Sequence, residues 1–237
     1  MPTNAIGAPS LISKGDVTRA LDNHRILRIQ GYLGVHVLAL SWEGCDVAFE
    51  NDLSQVTLLF QESFNYDVYP YKIPSNRSQS KLNCHIANFI EEYGRDGNLI
   101  IVYYGGHGGY HKSKCEWAAD PSGDATLDWS SCQSQLLNAD CDVVIFLDCC
   151  YAGQAVRGDR KSHRVELLAA TDKDQFTAIG SERCPSFTMI LVEEMKRILK
   201  HYGAVTIPDL ARSMASARVG LAKQRFGRSV ILEKVLE

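Results

Sequence analysis

Apolar and polar positions along the chain alternate between two rhythms. Three uninterrupted apolar runs, GVHVLALSW (Gly34–Trp42), LIIVYY (Leu99–Tyr104) and VVIFL (Val143–Leu147), have the density of strands buried on both faces. Between them apolar residues recur every three or four positions, the helical spacing. In NDLSQVTLLFQESF, Leu53, Val56, Leu59 and Phe60 share one helical face, and Asp52 is placed to cap that helix. YDVYPYKI predicts a second strand, near an edge because Pro70 has no N–H to donate. SQSKLNCHIANFIEEYG gathers Leu82, Ile86, Phe89, Ile90 and Tyr93 on one face and stops at Gly94. A short helix is expected in DWSSCQSQLLNAD, a fifth strand in VELLAAT, and two late helices in PSFTMILVEEMKRILKHYG and TIPDLARSMASARVG. RSVILEKV reads as a last strand, and Asp16–Ile29 as a weak helix. The stretch from Gly105 to Asp128 is long and polar, with a short strand expected near Trp117.

Strands alternating with helices predict an α/β fold: a three-layer α/β/α sandwich around a mostly parallel, roughly six-stranded sheet. No Pro/Gly/Ser linker interrupts the pattern. Residues 1–30 therefore read as a loose or partly helical leader, and 31–237 as a single domain.

Composition narrows the function classes. The net charge of −3 offers no footprint for nucleic acid or an acidic membrane surface. No apolar run approaches the roughly 20 residues of a membrane span. The first residues, MPTNAIGAPSLISKGD, lack the charged start and apolar block of a secretion signal. The eight cysteines include the adjacent pair Cys149–Cys150 and no paired C-x2-C units. They fit a reduced, cytoplasmic chain in which most thiols are small core residues and none is a metal ligand.

Two of the buried runs end in reactive side chains. LIIVYYGGHGGY delivers His107 into a glycine-flanked turn, and DVVIFLDCCYAG ends on Cys149 and Cys150. The glycines lack the G-x-G-x-x-G order of a dinucleotide loop, and no helix pattern opens directly after them. In parallel sheets ligands bind beyond the carboxyl ends of the strands, where His107, a cysteine and Asp52 would share one rim. A thiol attacks only as thiolate, and an imidazole can take its proton and later return it to a leaving amine. Alternation along an extended chain puts Asp148 and Cys150 on one side and Cys149 on the other, so Cys150 is the expected nucleophile and Cys149 packing. The backbone N–H groups of Gly108 and Cys150 are candidates for an oxyanion hole.

YYGGHG and DCCYAG resemble the histidine and cysteine motifs of the caspase-like cysteine peptidases, above all the metacaspases. His107 precedes Cys150 by 43 positions, near the roughly 50 of caspases. NDLSQVTLLFQESFNY, LDWSSCQSQLLNAD and SFTMILVEEMKRIL are similar to the helix after the family's first strand, the helix before its cysteine strand and its later FT helix. The resemblance implies a caspase-like sandwich and peptide-bond hydrolysis through a thioester, in a setting of regulated cell death or stress signalling. It also implies His107 as general acid/base, Cys150 as nucleophile, and Asp52 with Asp148 as the floor of a pocket (S1) for a basic P1 residue. Two carboxylates in a narrow pocket favour Arg or Lys on electrostatic grounds as well.

The chain departs from that pattern at Gly105, where metacaspases commonly carry a serine on the S1 wall. It departs again at Tyr151 and Ala152, where His or Asn and then Ser are usual. No cofactor is required. Calcium is a candidate activator without a clear site, the nearby acids Asp120, Asp124, Asp128 and Asp159 being scattered. If P1 is basic, Arg157, Arg160, Lys161 and Arg164 in the charged segment RGDRKSHR are candidates for self-cleavage. The expected partner is a polypeptide substrate, and the oligomeric state is unspecified. The rival reading is a caspase-like module without catalysis that recruits partners.

Overall fold

A computed structural model describes residues 31–111, 114–150, 163–170, 186–216, 221–226 and 230–234, with backbone alone for 110–111 and 221–226. The helix expected over Asp16–Ile29 lies outside these residues. The chain divides into two units, Met1–Gly31 and Tyr32–Glu237, and every element below belongs to the second.

The chain runs through β1 (Gly34–Trp42), α1 (Val47–Leu58, continued by a π turn, Leu59–Ser63), β2 (Asp67–Ile73), α2 (Ser78–Tyr93) and β3 (Asn98–Gly105). Three short strands follow, β4 (His107–His111), β5 (Lys114–Ala118) and β6 (Thr126–Asp128), then α3 (Trp129–Leu137) and β7 (Asp142–Asp148). The last elements are β8 (Val165–Ala170), α4 (Phe187–Tyr202), β9 (Ala204–Thr206), α5 (Ile207–Ser216), β10 (Leu221–Phe226) and β11 (Ile231–Glu233).

The central sheet has the order β10-β8-β7-β3-β1-β2. Five strands are parallel, and β10 lies antiparallel on β8 at one edge. Alternate residues of each central strand enter opposite layers. Val35, Val37, Ile101, Tyr103, Val144 and Phe146 pack with α1, α4 and α5, whereas Leu38, Leu40, Ile100, Tyr104, Ile145 and Leu147 pack with α2 and α3. Burying one such side chain is worth about 1.5–3 kcal/mol, so neither face of these strands can be left in water. The three-layer sandwich follows, and β2 with its Pro70 takes the free edge. No described helix is long and apolar enough to cross a membrane.

Three expectations need correction. Asp52 does not cap a helix: α1 starts a turn and a half earlier, after Asp46. The reason is that Phe49 and Leu53 extend the apolar spacing back toward the strand, and Asp46 closes the first turn by accepting from the Phe49 and Glu50 N–H groups. The polar stretch after Gly105 carries the short strand expected near Trp117 as β5, but β4 and β6 flank it and complete an antiparallel sheet. Its apolar residues Cys115, Trp117 and Leu127 are buried, and Trp117 stacks between Tyr104 (3.6 Å) and Trp129 (4.1 Å). Finally, the strand read in RSVILEKV pairs with β9 outside the main sheet, whose sixth strand is the polar edge segment LAKQRF.

Candidate active site at the carboxyl rim of the sheet

The register of β3 on β7 pairs Gly105 with Asp148, and the Gly106 N–H donates to the Asp148 carbonyl at 3.2 Å. His107 stands two residues beyond one partner and Cys150 two beyond the other, so both leave neighbouring strands at the same rim. Their backbones stay together past the sheet. A Cβ on Gly108 would lie 2.6 Å from the Cys150 carbonyl oxygen and 3.1 Å from Cys149 Sγ, a space only glycine leaves open. Similar crowding explains its neighbours. A Cβ at 105 would meet the Tyr103 hydroxyl at 2.7 Å and one at 106 the Tyr104 hydroxyl at 2.6 Å, and both tyrosines are fully buried. Gly109 has nothing within 4 Å.

His107 is held at three points. It opens β4 opposite Ala118 of β5. Its carbonyl accepts from the Tyr104 hydroxyl at 2.8 Å, which itself accepts from Trp42 Nε1 at 3.0 Å. The imidazole Nε2 lies 3.3 Å from Asp46 Oδ2, and the Phe49 ring meets the imidazole edge-on at 5.1 Å. Asp120, in the turn after β5, also feels the imidazole. Its carboxyl is held below the usual range chiefly by the Ser122 hydroxyl, then by backbone N–H groups of Ser122 and Gly123, and further by His107.

The two cysteines differ as strand alternation requires. Cys149 is buried in the layer of α2 and α3, where burial pushes its thiol far up. Cys150 is partly exposed; burial and the nearby Asp148 charge raise its thiol pKa. In this arrangement the imidazole faces Asp46, and the raised thiol rests protonated at neutral pH.

On the side of α1 and α4 two carboxyl groups converge. Asp148 Oδ2 accepts from the Thr188 hydroxyl at 2.6 Å and the Thr188 N–H at 3.2 Å. With its proton given to Asp148, the Thr188 hydroxyl must accept from Tyr103 OH, 2.7 Å away. Burial raises the Asp148 pKa against these bonds. Asp52, in the second turn of α1, is pushed up to about 6 by burial and then by the Asp148 charge, with the Ser186 hydroxyl at 3.5 Å opposing. Among the described residues no Lys or Arg forms an ion pair with either acid.

Of the residues singled out in the sequence, His107, Gly108, Cys150, Gly105, Asp52 and Asp148 therefore meet at one rim. Arg157, Arg160, Lys161, Tyr151 and Ala152 lie outside the described residues. Arg164 stands at the opposite rim, where its guanidinium and N–H hold Asp142. Asp128 is engaged in capping α3 and pairing with Lys114, and Asp159 is outside the described residues. Among the described residues no group of three His, Cys, Asp or Glu is arranged to hold a metal ion.

Asp46, Tyr103, Thr188, Ser186 and Phe49 escaped the sequence reading. Ser186 carried the clearest signal, a helix-capping serine that accepts from the Met189 N–H three residues on. Asp46 carried the same signal a turn and a half ahead of Asp52, the residue the cap was assigned to.

Comparison with known proteins agrees with the fold. The caspase domain profile matches residues 47–221. Among solved structures, the chain is similar to protein GSU0716 from Geobacter sulfurreducens (TM-score 0.55, 13% identity, 82% of this chain and 94% of that one). It is similar to the Drosophila initiator caspase Dronc (TM-score 0.50, 12% identity, 77% and 71%) and to Caspase-1 from Spodoptera frugiperda (TM-score 0.50, 15% identity, 87% and 91%). No curated protein sequence matches the chain. At these identities the structural likeness is one of fold.

Proposed function

The chain belongs to the caspase domain family of cysteine peptidases, and on that premise we propose that it hydrolyses polypeptides after Arg or Lys, with Cys150 as nucleophile and His107 as general acid/base. The metacaspase-type preference, a role in regulated cell death or stress signalling, and a cytoplasmic setting are parts of the same proposal.

The observation that carries the reading is the meeting of Asp52 and Asp148, the charge of the second raising the first, near the Cys150 thiol and with no Lys or Arg paired to either acid among the described residues. A P1 guanidinium or ammonium entering there supplies the missing charge, and the energy so released favours a basic side chain over a neutral or acidic one. Tyr103 and Thr188 lie buried behind the two acids, and a serine at 105 would set its Cβ against the Tyr103 hydroxyl.

The chemistry follows in order. The imidazole takes the Cys150 proton, and the thiolate adds to the scissile carbonyl while the N–H groups of Gly108 and Cys150 face the oxyanion. Collapse breaks the C–N bond, and the imidazolium returns its proton to the leaving amine. A water molecule, deprotonated by the same imidazole, then adds to the thioester and releases the acid and the free thiol.

Reporter peptides differing only at P1 test this, with Cys150→Ala as the blank. Arg and Lys peptides should be cleaved, with His107→Ala lowering kcat by about 100-fold or more. Faster turnover of the Asp peptide, or equal activity in Cys150→Ala, would overturn it.

A further inference from the structure

Asp46 sits where a helix-capping side chain is expected, yet its carboxylate makes no cap hydrogen bond. It points instead at the imidazole, 3.3 Å from His107 Nε2. The carboxylate is half-exposed. Phe49, one turn on, fixes the ring plane from its edge, and Tyr104 fixes the backbone beneath.

We propose that Asp46 is a positioning residue for the imidazole, so that the working unit is Asp46–His107–Cys150 rather than a pair. This rests on the reading of His107 and Cys150 as the reacting groups. With Nε2 turned to Asp46, Nδ1 is the nitrogen left for the thiol and the leaving amine. When Nδ1 takes the proton from sulfur, the ring becomes an imidazolium whose Nε2–H donates to the carboxylate. The ion pair of thiolate and imidazolium is stabilised, and the ring cannot turn away between the two proton transfers. Among the described residues the charged groups that face this ring are Asp46 from the start of α1 and Asp120 from the turn after β5, with Cys150 leaving the end of the neighbouring strand β7.

Asp46→Asn is the informative variant, since asparagine keeps the shape and is as good a helix cap. Two readouts are needed: kcat and KM on an Arg reporter, and the rate at which iodoacetamide alkylates Cys150, followed by mass spectrometry over a pH series. Asp46→Asn should lower kcat by about 10- to 100-fold with KM within about twofold, and slow alkylation at neutral pH by about 10-fold. Asp46→Glu should recover part of both. Glu50→Gln removes a carboxylate from the same helical turn that pairs with Lys72 rather than His107, and should change neither. An Asp46→Asn protein that matches the wild type in both readouts overturns the proposal, as does one that alkylates faster, which would make Asp46 a restraint on the imidazole. Alkylation needs no substrate, so it decides the role of Asp46 even if no peptide is cleaved; cleavage without an Asp46 effect would leave the peptidase reading intact.

Discussion

Strand β7 begins and ends with an aspartate, and the two ends are built in opposite ways. Asp142, at the amino rim, accepts from the Arg164 N–H at 2.8 Å, from Arg164 Nε at 2.7 Å and from the Tyr32 hydroxyl at 2.8 Å. Its charge is answered by a guanidinium within the fold. Among the described residues Asp148, at the carboxyl rim, receives only the hydroxyl and N–H of Thr188 and has Asp52 for a neighbour. A buried acid given its cation is part of the scaffold; one left with hydroxyls and a second acid is where the proposed basic P1 side chain would bring its charge.

Exchanging the charges separates the two roles. Asp148→Asn should cost about 100-fold in kcat/KM on Arg reporters, with thermal stability unchanged or raised. Asp142→Asn should do the reverse: a loss of about 2–3 kcal/mol in denaturant unfolding, discounted from a fully buried pair because the guanidinium is 35% exposed. The ratio of Arg to Asp cleavage should stay as it was. Equal effects of both changes on selectivity would erase the contrast.

The wall offers a finer test. Gly105→Ser should destabilise by about 1–3 kcal/mol, because its Cβ meets the buried Tyr103 hydroxyl at 2.7 Å. Adding Tyr103→Phe should restore most of that in the same unfolding assay.

The smallest effect is on pH dependence. The Asp52 carboxyl titrates near 6 in the fold, above its unfolded value of about 4. The folded state therefore holds this proton more tightly, and stability falls as pH rises from about 4 through 6. Cleavage after Arg, which needs the carboxylate, should rise over the upper part of that window. Asp52→Asn should flatten both trends and add about 1 kcal/mol at neutral pH, the solvent-facing part of the group reducing the full value.

The interior strands were readable because a strand buried on both faces has few polar positions. Gly34–Trp42 matches β1 to the residue, and Leu99–Tyr104 and Val143–Leu147 fall one residue short of β3 and β7 at each end. Edges and small sheets were not: LAKQRF pairs along only one side in the main sheet, and β4–β6 depend on Trp117 finding Tyr104 and Trp129. The site divides in the same manner. His107 and Cys150 announce themselves in local motifs, as reactive residues at the ends of apolar runs. Tyr103, Asp148 and Thr188 become one hydrogen-bonded chain only when β3, β7 and α4 are folded together. Asp46 was hidden differently, by a helix whose start was placed too late.

The anchoring of Arg164 bears on what a cut in the preceding charged segment would do. Arg164 opens a strand hydrogen-bonded between β7 and β10, and its guanidinium is clasped to the foot of β7. Severing the chain after Arg157, Arg160 or Lys161 would leave two polypeptides that share one sheet and travel together on a sizing column, separating only when the sheet itself is dissolved.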